Sequence, residues 1–196
     1  VSMYWESHKL PSKSFIEKAT RTFANLNVAV SPESVSEDVS KYAGRLFSNK
    51  QMFKTIEFLD KNKVMSDIYF LIGLPNETLD SASRIIDFTR EVGKNKYTLV
   101  QPPIPYTIDP HCPMALNPEK YGVRLLFKSF DDYRKACSEQ KFEKWIGHET
   151  SNLSHAAIAE LTASIRKTVM TLSQEGVVAK IAFDYERTMP TPAQKG

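Results

Sequence analysis

Ile68-Tyr69-Phe70-Leu71-Ile72-Gly73-Leu74-Pro75-Asn76-Glu77-Thr78 is the stretch whose reading decides the fold. Five apolar residues stop at a glycine, and the turn beyond them carries a proline and a carboxylate before a helical pattern begins. An apolar run without polar alternation suits a strand buried on both faces, which points to a parallel sheet covered by helices. In such sheets ligands bind at the carboxyl ends of the strands, where this Gly–Glu turn falls.

Outward from that strand the chain repeats the same unit. Val1 to Trp5 reads as a short strand, and Phe15, Ile16, Ala19 and Phe23 follow at helical spacing after Pro11 and Ser12. Asn27 to Ser31 is a second strand. Ser34 and Glu37 form an S-x-x-E capping pattern for the next helix, which Gly44 closes. Ser48 and Gln51 give a second capping pattern, with Met52, Phe53, Ile56 and Leu59 on one helix face. After the decisive strand, Leu79, Ala82, Ile85 and Ile86 mark a helix ended near Gly93, and Tyr97 to Gln101 is a fourth strand stopped by Pro102 and Pro103. The order β-α-β-α-α-β-α-β predicts an α/β fold, with parallel strands near 2–5, 27–31, 67–72 and 97–101, and helices packed outside. Pro102 to Pro118 is irregular. Two amphipathic helices are then expected, one carrying Val123, Leu126, Phe127 and Phe130, the other Ile158, Leu161, Ile165 and Leu172. A strand-like piece at 177–183 precedes a polar tail, 187–196, expected to be disordered.

At 196 residues the chain makes one domain, or one domain with a subdomain, and 41% hydrophobic with 25% charged residues is a globular composition. No apolar run approaches the roughly 20 residues of a membrane span. A net charge of +3 is too mild to imply a nucleic-acid partner. Cys112 and Cys137 form neither a CxxC pair nor a disulfide framework, so a reducing, cytoplasmic compartment is expected. His8, His111, His148 and His155 show no metal-ligand spacing, and no metal site is expected. Phosphate loops, GxSxG elbows and HExxH are absent, which removes the commonest nucleotide-hydrolase, esterase and zinc-protease readings. The chain starts at Val1 without an initiator Met or a signal pattern, and so reads as a processed or truncated segment.

Three strand ends, in order, resemble the later half of a radical S-adenosylmethionine enzyme barrel. They are Val28-Ala29-Val30-Ser31-Pro32-Glu33-Ser34, Ile68 to Thr78 with its GLPxET form, and Val100-Gln101-Pro102-Pro103-Ile104-Pro105-Tyr106. Ile108-Asp109-Pro110, Asn117 to Gly122, and Trp145 followed by His148-Glu149-Thr150 look like the tail of cobalamin-binding members. The family's three cluster cysteines have no counterpart here, since two cysteines cannot supply the ligands of a [4Fe–4S] cluster. The resemblance therefore implies the carboxyl-terminal part of a longer iron–sulfur enzyme. Residues 1–105 would be the second half of a TIM-barrel-like domain and 106–186 a helical extension. The chain would help bind S-adenosylmethionine and substrate, would be inactive alone, and would belong to a cobalamin-dependent methyltransferase in the most specific form of the resemblance. The alternative is a self-contained, non-catalytic α/β binding or interaction domain. An initiator codon just before Val1 would favour it, and an upstream CxxxCxxC would favour the enzyme.

The resemblance assigns Ser31 and Glu33 to hydroxyl or ammonium groups of the cofactor, where a carboxylate accepts charge-assisted hydrogen bonds. The same two residues also suit a turn start and a helix N-terminus. Gly73 would let the backbone pass close to the adenine, Glu77 would orient the turn, and Gln101 would face the adenine edge. A strand-ending glycine, a first-turn glutamate and a polar strand end account for them as well. Arg45 is expected to be an exposed salt-bridge partner rather than a ligand of the cofactor carboxylate. His111 and Cys112 are expected to be loop residues, and Tyr4, Trp5, Tyr69 and Phe70 core. Val28, Val30, Ile68, Phe70, Ile72, Leu99 and Val100 are expected to leave an apolar inner face. The missing N-terminal half, a second copy of the chain or the terminal helices would cover it.

Overall fold

Strand and helix units alternate to build a curled, parallel half-barrel with helices around it, described for residues 1–139 and 141–175 in a computed structural model. The strand-like piece at 177–183 and the polar tail lie outside the described residues. Strand β1 (Ser2–Ser7) leads through α1 (Lys13–Thr22) to β2 (Asn25–Glu33). Then come α2 (Glu37–Tyr42), α3 (Asn49–Lys61), β3 (Met65–Ile72), α4 (Leu79–Val92) and β4 (Thr98–Val100). The order across the sheet is β1-β2-β3-β4, and every neighbouring pair is parallel.

Beyond β4 the ladder breaks because Pro102 and Pro103 carry no N–H to donate. Pairing to β3 resumes at β5 (Ile104–Pro105), with Leu71 opposite Ile104 and Ile72 opposite Pro105. The carbonyls of Pro102 and Pro103 both accept from Nη1 of Arg166, at 3.0 and 3.1 Å, so the interruption leaves neither without a partner.

Local chemistry sets most helix starts. Ser12 caps α1, Ser48 and Gln51 close a reciprocal capping box on α3, and Thr78 does so with Ser81 on α4. The pattern at Ser34 and Glu37 is used differently. Helix α2 starts after Ser36, Ser34 turns its hydroxyl toward Glu77, and Glu37 accepts from the Asn49 backbone at 2.8 Å.

The core lies between the sheet and the helices. Val28, Val30, Ile68, Phe70, Ile72 and Val100 pack against Ile16, Met52, Ile56, Ile85 and Phe88. Burying each large side chain contributes about 1.5–3 kcal/mol. These strand residues therefore face the helix layer, not an open inner face. Leu99 is the exception, half-buried on the concave side. In a pleated strand Met65, Asp67, Tyr69 and Leu71 project opposite to Ser66, Ile68, Phe70 and Ile72. The concave face consequently carries Asn27, Asp67, Tyr69 and Gln101 among half-buried Met65, Leu71 and Leu99. Apart from Leu99, the aliphatic residues expected to need cover are already covered by helices.

After α5 (Pro113–Leu116) and a 3-10 turn at Pro118–Tyr121, Gly122 reverses the chain at φ +62°. The helix expected from Val123 to Phe130 does not form. Val123–Leu125 is β6, antiparallel to β7 (His148–Thr150), and α6 (Phe130–Ser138) begins only where Ser129 and Asp132 make a capping box. The 3-10 turn Phe142–Trp145 precedes β7. Helix α7 (His155–Glu175) packs on α4 and against β3, β4 and β5, adding Ile158, Ile165 and Val169 to the core.

Candidate functional site

The register brings the ends of β2, β3 and β4 to one carboxyl edge: Val30 pairs with Ile68, and Ile68 with Val100. Ser31 and Gln101 each follow these paired residues directly, and Gly73 ends β3 a few residues on. All five residues singled out from the sequence lie at this edge, but they separate into three groups.

The first group is at the end of β2. Register slips between Val30 and Glu33, and Glu33 takes φ +66°, a conformation that costs a non-glycine residue about 1–2 kcal/mol. An ion pair with Arg45 holds it there. Arg45 is not an exposed partner. Gly44, at φ +88°, turns the chain off α2 and delivers the guanidinium inward, where it is 8% exposed and also donates to Nδ1 of His8. Burial lowers its pKa, and the field of Glu6 opposes that. Its Nε is buried without a partner. Ser31 is half-buried beside this cluster in sequence.

The second group is the turn after β3. Gly73 has φ +91°, and a β-carbon there would lie 2.9 Å from Ile158 Cγ2, so α7 fills the space that the missing side chain leaves. Glu77 is fully buried. Its carboxylate accepts from the Gly73 N–H at 2.7 Å and from the Ser34 hydroxyl at 3.4 Å, tying the β3 turn to the end of β2. Burial outweighs these hydrogen bonds and pushes its pKa up to about 7. From the other side, Nε2–H of His148 donates to the Gly73 carbonyl at 2.7 Å. His148 is itself fully buried, lies edge-on to Tyr106, and leaves Nδ1 unpaired. Burial lowers its pKa against the hydrogen bond to Gly73, and His155 adds to the lowering.

Replacing His148 by Ala is expected to cost roughly 2–4 kcal/mol, because a buried carbonyl and a cavity are left behind. A urea melt measures it, and an unchanged midpoint would show that β7 is not held to the edge at this contact.

The third group lies on the concave face. Gln101 Nε2 donates to one oxygen of Asp67 at 2.9 Å and Asn27 Nδ2 to the other at 2.7 Å. The hydroxyls of Tyr4 and Tyr69 meet at 3.1 Å beside them. Tyr4, expected in the core, is 54% exposed here. Asn27 heads the expected strand 27–31 with no signal of its own, and the apolar run 68–72 masks the face that Asp67 occupies. The alternation Met65, Asp67, Tyr69, Leu71 was the signal. His148 had no local signal, since its partner is 75 positions away.

Over the edge, Glu33, Leu71, Leu74 and Tyr106 join Tyr42, Cys112 and Tyr121 around a cleft of about 300 Å³. Ser31, Gly73, Glu77 and Gln101 do not line it. Cys112 also accepts from the Ala115 N–H as the cap of α5, while His111 is an exposed loop residue at φ +64°. No group of three or more His, Cys, Asp or Glu among the described residues could hold a metal ion. No described helix is long and apolar enough to cross a membrane.

No protein-family model matches the chain, and no curated protein sequence does. Solved structures share its fold. One is the radical S-adenosylmethionine methyltransferase TsrM from Kitasatospora setae with tryptophan substrate and an S-adenosylmethionine analogue, at TM-score 0.53 and 12% identity. Another is the same enzyme with cobalamin and a [4Fe–4S] cluster, at 0.52 and 11%. Each likeness covers 87% of this chain and 35% of the other, so this chain spans about a third of that protein's length. What is shared is the α/β half-barrel fold.

Proposed function

We propose that this chain is the carboxyl-terminal part of a radical S-adenosylmethionine enzyme, forming the later barrel half over 1–105 and an extension from 106 onward. The observation that carries this reading is the carboxyl edge itself. A strained Glu33, a cleft beside it, and a hydrogen-bonded polar cluster on the concave face converge where parallel α/β sheets bind ligands. Likeness in fold to a methyltransferase that binds cobalamin and a [4Fe–4S] cluster supports the same direction.

The residues present do not fit a cluster: Cys112 is engaged as a helix cap and Cys137 is a free, exposed thiol. Cluster ligands would come from the missing N-terminal half, which would also face the concave side. The donor set does suit S-adenosylmethionine, because Glu33, whose Oε1 is paired with Arg45, keeps Oε2 for ammonium or ribose hydroxyls. Gln101, whose Nε2–H goes to Asp67, keeps its side-chain carbonyl beside the cleft rather than in its lining. Ser31 would add a hydroxyl. Gly73 and Glu77 would act only by shaping the edge. Bound there, S-adenosylmethionine would supply the radical or the methyl group, and this chain would position it and exclude water. In the most specific form the whole enzyme is a cobalamin-dependent methyltransferase.

Titrating the isotope-labelled chain with S-adenosylmethionine should shift the backbone signals of Glu33 and Gln101, and Glu33→Ala should abolish the shift at Gln101. Absence of any shift at millimolar cofactor would count against the proposal, as would an initiator codon directly before Val1. Either outcome favours a non-catalytic α/β binding domain.

A further inference from the structure

We propose that the cavity enclosed by the loop after β5, helix α6 and the turn before β7 binds a small organic cation carrying a methylated ammonium group. It measures about 330 Å³ and is walled by the aromatic side chains of Phe127, Tyr133 and Trp145. Exposed Asp109 and Cys137 and buried Gly147 also line it. It shares no lining residue with the cleft at the carboxyl edge, so this inference is independent of the function proposed above.

The walls define the ligand's charge. Aromatic faces are negative, and several around one space attract a cation that has little water to shed. No Lys or Arg lines the cavity, and among the described residues Asp109 enters no ion pair. The field of Asp109 reaches the wall: with burial as the larger cause and Cys112 adding to it, Asp109 raises the pKa of the Tyr133 phenol. A bare ammonium carries three donors to satisfy, and among the lining side chains only the Asp109 carboxylate is charged, with the exposed Thr107 hydroxyl beside it. A methylated ammonium has few or none, and presents methyl groups to the rings instead. The volume lies at the low end of the roughly 300–1,000 Å³ of ligand pockets, which suits a small molecule.

The walls are also set in advance. Phe127 meets Tyr133 edge-on with ring centres 5.2 Å apart. Trp145 Nε1–H donates to the Glu139 carbonyl at 2.9 Å, which fixes the indole. Glycine at 147 leaves room for the Phe127 ring, since a β-carbon there would lie 2.4 Å from it. A site held this way pays little ordering entropy on binding.

The test uses the whole chain, isotope-labelled, and follows its two indole N–H signals, with Trp5→Phe identifying that of Trp145. Choline is expected to shift the Trp145 signal saturably. Its neutral carbon isostere, dimethylbutanol, should bind roughly tenfold more weakly. Asp109→Asn, at an exposed position that folding tolerates, should weaken choline several-fold, and Tyr133→Leu should do the same through the wall. Phosphatidylcholine vesicles should leave the signal unmoved. Equal binding of choline and its isostere would overturn the cation class. No shift with choline would overturn the site, and a shift with vesicles would overturn the small-molecule ligand in favour of a lipid surface.

Discussion

Replacing Gly73 by alanine is expected to lower the chain's stability by roughly 3–5 kcal/mol. Two costs add. At φ +91° an L-residue is strained whatever the space around it. The new β-carbon would also lie 2.9 Å from Cγ2 and 3.0 Å from Cδ1 of Ile158, a fully buried side chain with no solvent to retreat into. Relief requires α7 to move off the sheet, and the hydrogen bonds that Gly73 makes to Glu77 and His148 would move with it. The shift in urea midpoint measures the sum. Pairing Gly73→Ala with Ile158→Ala in a double-mutant cycle separates the parts. Alanine removes Cγ1, Cγ2 and Cδ1, so the double variant should lose less than the sum of the two single losses by the steric share, and keep the backbone share. A single-variant loss below about 1 kcal/mol would show that the turn relaxes freely, and would remove the case for a rigid edge.

Glu77 should make stability fall as pH rises. Its folded pKa of about 7 stands above the ordinary 4.5 because burial penalises the charged form. The folded state therefore holds a proton that the unfolded chain releases between these values. The stabilising contribution is complete below pH 4.5 and is lost as pH rises through 7. Between pH 5 and 8 the group removes about 2–3 kcal/mol. His148 acts in the opposite sense, since its lowered pKa gives stability that is lost as pH falls below the ordinary value of 6.5. The measurement is therefore the difference between the wild-type chain and Glu77→Gln in urea melts at pH 5 and 8. Glu77→Gln has no proton to lose, so His148 cancels and the Glu77 slope remains. Parallel slopes for the two proteins would show that Glu77 does not titrate in this range.

Much of the fold was legible because its signals are local. Apolar runs ending in Gly or Pro marked the parallel strands to within a few residues, and Ser12, Ser48 and Gln51 marked helix starts through bonds spanning three positions. The same local logic misread Val123 to Phe130, where helical spacing of apolar residues was overridden by pairing with a strand some 25 positions away. It misread Ser34 too, whose hydroxyl serves Glu77 on the neighbouring strand's turn rather than its own helix.

By itself the sequence determined the element order over residues 1–101, the parallel arrangement of the sheet there, and the carboxyl edge on which Ser31, Glu33, Gly73, Glu77 and Gln101 lie. Hydrophobic period and turn chemistry act within a few residues, and crossover handedness leaves little further choice. Only the tertiary structure decided what those residues do there. It filled the space at Gly73 with Ile158, buried Arg45 against Glu33, and set Asp67 between Asn27 and Gln101 on the concave face. It also brought His148 to the Gly73 carbonyl. Each of these is a contact between distant segments, fixed by how helices and strands pack; the alternation around Asp67 marks the face it takes but not its partners.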